Sequence, residues 1–204
     1  LAVSAISGDS TVIQKIKNQA EVLSFHELKN HSLIPLFQNV KSGDSDNCEA
    51  TAAAYYWAGL TPALSLSAGE TFRRQREGLS PNNYLNYGYS VLRAVMARSI
   101  VGAGLLPTLG IHHANRYNAY CLADDLMEPY RPFVDKLVIE IINKYSINED
   151  IPKEVKIELL QIPAMDVMMD KEKSPLMVAT QRTAVSLVKC FEGEQRKLLY
   201  PEFP

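Results

Sequence analysis

The chain has 204 residues, of which 47% are apolar and 22% are charged, and its formal net charge is −2. This length and composition are typical of a globular protein with a sizeable core, in one large domain or two small ones. The small negative charge excludes a globally basic surface, so any contact with nucleic acid has to come from a local basic patch.

The three cysteines, Cys48, Cys121 and Cys190, are widely spaced and form no Cys-x-x-Cys pair. An odd number at this spacing argues against a disulfide framework and against a zinc ribbon, and it suits a reducing cytosol. Because the sequence has no apolar run of about 18 residues and no signal peptide, we expect no membrane association. The chain begins with Leu1 and not with methionine, so we expect a piece of a longer protein.

Helices are predicted along most of the chain, because Ala, Leu, Lys and Glu are common and glycine is confined to a few loops. A first helix is expected over Thr11 to about His26 and a second over Cys48 to Leu60. The stretch 61–80 is expected to be a loop. A Ser-Pro pair then predicts the start of a helix over about 81–101, and this helix should be central because it is apolar on most of its sides.

Two glycines end that central helix, and the stretch 105–118 is expected to be a loop or short helical pieces. Further helices are predicted, in chain order, over residues 120–127, 132–144, 153–160 and 176–191. We therefore expect an all-α fold. Residues 1–40 would form a linker and the first helix, and residues 41–204 an α-helical domain.

The stretch Gly110–Pro132 contains the side chains best suited to chemistry. Asp125 and Glu128 share a face if they lie on a helix, where two carboxylates repel unless a cation or a shared proton lies between them. His112 and His113 lie a short distance upstream. Carboxylates with one imidazole suit Mg²⁺ or Mn²⁺ better than zinc, which prefers more nitrogen or sulfur. From spacing alone, however, a solvated acidic face is the more common explanation.

A proline, Pro129, follows directly after Glu128. It has no N–H to donate to the carbonyl of Asp125, four residues earlier. We therefore expect the helix to kink or end at the carboxylates, which would open room for a substrate phosphate. An unbroken helix over 122–144 would contradict this hypothesis.

Several motifs resemble one known family. The strings Asn86-Tyr-Gly-Tyr, Gly110-Ile-His-His and Leu122 to Pro132 are similar to the CRISPR-associated integrase of the adaptation module, above all to its type II version. The string Asn47-Cys-Glu-Ala resembles the first acidic motif of that family. The motifs occur in the right order over roughly residues 47–138, which is more specific than any one of them.

The resemblance implies a metal-dependent DNA endonuclease and integrase that inserts short foreign DNA segments, called spacers, into a CRISPR array in the prokaryotic cytoplasm. It implies Mg²⁺ or Mn²⁺ as the cofactor, with Glu49, His113 and Glu128 as metal ligands. His113 is chosen over His112 because the family histidine lies three residues after the glycine. Asp125 matches an acidic position that assists catalysis.

The same resemblance implies the substrates and partners. A 3′-hydroxyl at the end of a DNA duplex attacks a phosphodiester, so the substrates are double-stranded and branched DNA and no protein nucleophile is needed. The implied partners are a second copy of the chain and a small ferredoxin-like adaptation protein. The N-terminal β-domain of the family has no counterpart in residues 1–40, so the chain would be the α-helical catalytic domain.

Three arginines of the predicted loop, Arg73, Arg74 and Arg76, are candidate contacts to DNA phosphates, because DNA affinity comes largely from backbone charge. A solvated loop is the alternative.

Two other functions also stay open. One is a metal-dependent phosphoesterase or nuclease unrelated to CRISPR, and the other is a non-catalytic helical scaffold that binds no Mn²⁺.

Overall fold

The computed structural model describes residues 8–64, 72–75, 78–111, 115–145 and 149–204. Within these ranges the chain folds mainly into α-helices with one two-stranded antiparallel sheet, which confirms the predicted all-α class. The elements are, in chain order, α1 (Gly8–Phe25), α2 (Leu33–Gln38), α3 (Cys48–Leu60), α4 (Asn82–Gly102), α5 (Cys121–Met127), α6 (Arg131–Lys144), α7 (Lys153–Leu159), β1 (Asp166–Met169), β2 (Glu172–Pro175) and α8 (Leu176–Glu192).

Helix α4 lies at the centre of the fold, as its apolar sides predicted. It packs against α5, α6 and α8, and its side chains Leu85, Leu92 and Met96 are buried. At Gly88 the helix approaches α6 so closely that an added Cβ would lie 2.5 Å from Cγ1 of Val134. Any larger residue at this position would push the two helices apart.

The acidic segment is split between two helices, which confirms the break expected at Pro129. Helix α5 ends at Met127, Glu128–Tyr130 form a single 3₁₀ turn, and α6 follows. The N–H of Glu128 donates to the carbonyl of Asp125, three residues back, in the tighter 3₁₀ pattern. Glu128 therefore lies at a junction between helices.

Helix α1 is held in place by the last residues of the chain. Oγ1 of Thr11 lies 2.7 Å from the Tyr200 hydroxyl, and the Asn18 amide donates to the carbonyls of Pro129 at 2.7 Å and Pro201 at 3.0 Å. The buried side chains of α1 belong to the same hydrophobic core as those of α4 and α6. The division of the chain near residue 40 stays a prediction.

A β-hairpin that was not predicted from the sequence precedes α8. Strands β1 and β2 pair with Met169 opposite Glu172. The two turn residues, Asp170 and Lys171, have φ angles of 53° and 67°, a conformation usually adopted by Asn-Gly or Asp-Gly. Val167 and Met169 are buried in the core, so the hairpin packs with α8 against the rest of the fold.

A buried carboxylate joins three helices. Asp135 of α6 is 2% exposed and accepts hydrogen bonds from the hydroxyls of Tyr56, on α3, and Tyr89, on α4. Burial raises the pKa of Asp135 to about 6, although the hydrogen bonds from Tyr89 and Tyr56 favour the ionised form. The Asp135 carboxylate thus links α4 to α3 and α6, and its burial disfavours its ionised form.

We expect Asp135 to make the free energy of unfolding depend on pH between its ordinary pKa of 3.8 and about 6. Within this window the folded protein binds a proton that the unfolded chain mostly does not bind, so the group stabilises the folded state increasingly as the pH falls. Asp135→Asn should remove this dependence, which amounts to roughly 1–3 kcal/mol between neutral pH and pH 4.

Urea unfolding at several pH values would measure the effect as the difference between the wild type and the variant. Asp166→Asn is the matched control, since its side chain is 54% exposed on the hairpin. A pH-independent difference between wild type and Asp135→Asn would contradict the prediction.

Candidate metal centre

Two of the three predicted metal ligands, Glu49 and Glu128, meet at one point in the fold. Glu49 lies in the first turn of α3, and Glu128 lies at the junction of α5 and α6. Nζ of Lys15, on α1, is 2.6 Å from Oε1 of Glu49 and 2.6 Å from Oε2 of Glu128. Two carboxylates far apart in the sequence therefore share one cation.

The three charges differ in their access to solvent. The side chains of Lys15 and Glu128 are each 13% exposed, whereas that of Glu49 is 39% exposed. Burial disfavours the charged form of Lys15, but Glu128 and Glu49 outweigh this and hold the pKa of the ammonium above its ordinary value. The cluster is therefore ionic, and it opens to solvent on the side of Glu49.

The start of α3 fixes the backbone of Glu49. The carboxylate of Asp44 accepts hydrogen bonds from the N–H groups of Cys48 at 2.8 Å and Glu49 at 3.0 Å. These are two of the helix N–H groups that have no partner within the helix itself. Asp44 therefore anchors the turn from which the Glu49 side chain reaches Lys15.

The third predicted ligand, His113, lies outside the described residues, as does His112. The segment that leads to them is tied to α5, because the N–H of Ile111 donates to Oδ2 of Asp125 at 2.5 Å. Asp125 is 2% exposed. The roles predicted for His113 and Asp125 stay predictions, and this hydrogen bond links Asp125 to Ile111 alone.

The pair of carboxylates suits a divalent cation. Both approach one nitrogen at 2.6 Å, so an oxygen of each carboxylate already faces a single cation. Carboxylate oxygen is also a preferred ligand of Mg²⁺ and Mn²⁺. Within the described part of the chain, no three His, Cys, Asp or Glu side chains form a ready ligand set.

A cavity of about 400 Å³ opens beside Glu128. Arg131 lies in its wall and pairs with Oε1 of Glu128 at 2.9 Å. The guanidinium carbons of Arg74 and Arg131 lie 5.1 and 4.9 Å from the ring centroid of Tyr89, at cation–π distances. The polar lining consists of Arg74, Asn86, Ser90, Arg93, Asp124 and Arg131. Arg93 pairs with Asp124 and Arg131 with Glu128, so the net positive charge of the cavity comes from Arg74.

The predicted DNA-contacting arginines have different surroundings. Arg73 is exposed, whereas Arg76 lies outside the described residues. Arg74 is half-buried and donates to the side-chain oxygens of Asn86 at 2.6 Å and Asn82 at 3.0 Å. Because both acceptors are neutral amides, these hydrogen bonds orient the guanidinium of Arg74 without neutralising it.

Asp124, the neighbour of Asp125, forms an ion pair with Arg93. Nε and Nη2 of Arg93 each donate to its carboxylate at 2.6 Å, and the Asn118 amide donates at 2.7 Å. Burial disfavours the ionised form, but the hydrogen bonds from Arg93 and Asn118 outweigh it and hold the pKa of Asp124 below its ordinary value. Asp124 therefore orients Arg93 in the cavity wall.

Lys15 and Arg93 could not be identified from the sequence as members of this site. A lysine beside a buried position such as Ile16 usually extends along the apolar surface into solvent. No local pattern relates Lys15 to a carboxylate 34 positions later. The juxtaposition arises from the packing of α1 against α3 and against the turn at Glu128.

The chain matches known proteins over most of its length. The sequence model of the family described as CRISPR associated protein Cas1 matches residues 8–165. The chain belongs to this family. The matched region of this Cas1 chain includes Lys15, Glu49 and Glu128, so the whole ion cluster lies within it.

Among curated proteins, the CRISPR-associated endonuclease Cas1 of Neisseria meningitidis is 34% identical over 177 residues, which covers 86% of this Cas1 chain and 56% of the relative. A Cas1 endonuclease of Francisella tularensis subsp. novicida is 30% identical over 203 residues, with coverage of 90% and 64%. The chain thus spans between 56% and 64% of the length of these two relatives.

Solved structures share the fold of this Cas1 chain. A casposase bound to integration product superimposes with a TM-score of 0.74 at 21% identity, covering 97% of this chain and 62% of that one. A Cas1 protein from Thermotoga maritima superimposes with a TM-score of 0.78 at 19% identity, covering 95% of this chain and 68% of that one. A Cas6-RT-Cas1–Cas2 complex gives 0.78 at 21% identity, with coverage of 100% and 25%.

None of the described helices of this Cas1 chain has both the length and the apolar character of a membrane span.

Proposed function

We propose that this Cas1 chain is the α-helical catalytic part of a metal-dependent DNA endonuclease and integrase that inserts short foreign DNA segments into a CRISPR array. The observation that carries the proposal is the approach of Glu49 and Glu128 to one shared cation, at 2.6 Å each. It is supported by the names of the Neisseria and Francisella relatives, both of which are called endonucleases. Array DNA as substrate implies action in the prokaryotic cytoplasm.

Glu49, Glu128 and His113 would hold Mg²⁺ or Mn²⁺. When bound, the ion supplies activation of the attacking 3′-hydroxyl and neutralisation of the charge that builds on the attacked phosphate. Asp125 would position His113, because its carboxylate holds the N–H of Ile111 at the start of the histidine segment. The DNA itself supplies both the attacking and the leaving oxygen, so the chain provides no nucleophile.

The arginine cavity beside Glu128 would bind DNA phosphates next to the reacting bond. Arg74 is oriented by two neutral amides, and Arg131 bridges the cavity to Glu128. A guanidinium held in place loses little freedom when it binds a phosphate, and its planar fork matches phosphate oxygens. Arg73, which is exposed, and Arg76 stay candidate contacts to DNA phosphates.

The proposed partners are double-stranded and branched DNA, a second copy of the chain, and a small ferredoxin-like adaptation protein. Two solved structures with this fold support DNA and an adaptation protein as partners, since one is a casposase bound to integration product and the other contains Cas1 together with Cas2.

Turnover of two substrates tests the proposed reaction. With Mn²⁺, the chain should react with branched DNA and not with a chromogenic phosphate ester, and EDTA or Glu49→Gln should abolish the reaction. Glu154→Gln is the matched control, because Glu154 also lies in the first turn of a helix but is exposed on α7. Turnover of the ester alone would favour a phosphoesterase unrelated to CRISPR. The absence of both Mn²⁺ binding heat and turnover would favour a non-catalytic scaffold.

A further inference from the structure

Metal binding by Glu49 and Glu128 does not explain why the Lys15 side chain contacts both carboxylates. Its ammonium lies 2.6 Å from an oxygen of each carboxylate. We propose that Lys15 is a built-in counter-cation of the metal centre, which holds Glu49 and Glu128 together before the metal binds and competes with the divalent ion for the same carboxylates. This proposal rests on the proposed metal-dependent function and adds a residue that sets metal affinity.

The placement of Lys15 differs from that of a surface ion pair. An exposed lysine pair contributes little, because the long side chain loses freedom and solvent screens the charges. Here the side chain is 13% exposed. Hydrogen bonds on either side of it fix its helix, one between the Thr11 and Tyr200 hydroxyls and two from the Asn18 amide to the carbonyls of Pro129 and Pro201. The backbone from which the ammonium extends is therefore held in one position relative to Glu128.

The formal charges of Lys15, Arg131, Glu49 and Glu128 sum to zero when no metal is bound. Oε2 of Glu128 contacts Lys15, and Oε1 of the same carboxylate contacts Arg131. With Glu49, the cluster contains two anions and two cations. A divalent ion that approaches Glu49 and Glu128 therefore meets a neutral group of charges and has to displace or repel an ammonium.

Removal of the Lys15 charge should change this balance in two ways that act in the same direction. The approaching ion no longer meets a cation, and the two carboxylates repel each other until a metal binds between them. Both effects favour the metal-bound state over the metal-free state. A lysine whose role is merely structural predicts the opposite, since its loss would loosen the ligands and weaken metal binding or leave it unchanged.

Calorimetry with Mn²⁺ on the folded chain tests the proposal. Lys15→Met keeps the length of the side chain and removes its charge, and it should tighten the Kd for Mn²⁺ by about tenfold or more. Lys15→Gln, a second neutral variant that can still donate a hydrogen bond, should change the Kd in the same direction. Lys15→Arg keeps the charge and should stay within about threefold of the wild type.

Lys17→Met is the matched control, because Lys17 lies on the same helix, is exposed, and has its Nζ 5.9 Å from the ring centroid of Phe37. Its Kd for Mn²⁺ should equal that of the wild type.

Thermal unfolding gives a second measurement. Lys15→Met should lower the Tm without metal and enlarge the rise in Tm that Mn²⁺ produces. A Kd for Lys15→Met and Lys15→Gln that is unchanged or weaker would overturn the proposal.

The failure of this inference can be told apart from the failure of the proposed function. If the wild type gives no Mn²⁺ binding heat, or if Glu128→Gln binds Mn²⁺ as the wild type does, the metal centre itself is wrong. If Glu128→Gln loses binding while both neutral Lys15 variants bind as the wild type does, the metal centre stands and the counter-cation is wrong.

Discussion

Glu128→Gln should reduce the Mn²⁺-dependent rate on branched DNA by about 100-fold or more. Loss of a residue that merely supports a metal ligand typically costs 10–100-fold in metal affinity or activity, and Glu128 is itself a proposed ligand. Glutamine keeps the size of the side chain but removes the charge that Lys15 and Arg131 both contact. The loss should therefore appear in metal binding as well as in the rate.

Initial rates at saturating DNA over a range of Mn²⁺ concentrations would measure the effect of Glu128→Gln. Glu140→Gln is the matched control, since Glu140 pairs with Lys136 one turn earlier on α6 and its side chain is 50% exposed. A rate for Glu128→Gln within threefold of the control at every Mn²⁺ concentration would contradict the assignment of Glu128 as a ligand.

Phe133→Ala should lower the free energy of unfolding by about 3–5 kcal/mol, because a buried phenylalanine leaves a cavity that its neighbours cannot fill. Phe133 is 1% exposed and stacks on Phe203, with 4.0 Å between ring centroids. Phe203 in turn makes an edge contact with Phe25, at the end of α1. The substitution should therefore loosen the contacts between α6, the end of the chain and α1.

Urea unfolding and the Tm would both report the Phe133→Ala change, with a fall in Tm of roughly 6–20 °C for a domain of this size. Phe191→Ala is the control, since Phe191 is 40% exposed on α8 and should change the free energy of unfolding by less than about 1 kcal/mol. Equal effects of the two substitutions would show that the aromatic stack does not hold α6 in place.

The fold was predictable wherever the hydrophobic pattern was long and regular. The helix predicted over 81–101 is observed as α4 at Asn82–Gly102, and the one predicted over 132–144 is observed as α6 at Arg131–Lys144. The hairpin was not predictable, because its turn residues Asp170 and Lys171 are not the glycine-containing pair that usually marks such a turn. A single sequence carries no signal for an uncommon turn that tertiary packing stabilises.

The site was predictable only in part, and for a physical reason. The resemblance gave Glu49 and Glu128, and Pro129 predicted the helix break between α5 and α6. Lys15 and Asp135 were not predictable, since their partners come from helices far away in the sequence. Contacts between helices that are far apart in the sequence leave no periodic pattern in it. The missing N–H of Pro129 acts within one helical turn, so its effect can be predicted from the local sequence.

The hydrogen bonds between α1 and the last residues have a consequence for protein synthesis. Thr11 and Tyr200 are 189 positions apart, and Asn18 and Pro201 are 183 apart. Helix α1 is made before Tyr200 and Pro201, so these contacts can form only after those two residues have been translated. During synthesis, the hydrogen bonds that hold the helix of Lys15 against the last residues therefore form only after Glu49 and Glu128 have already been made.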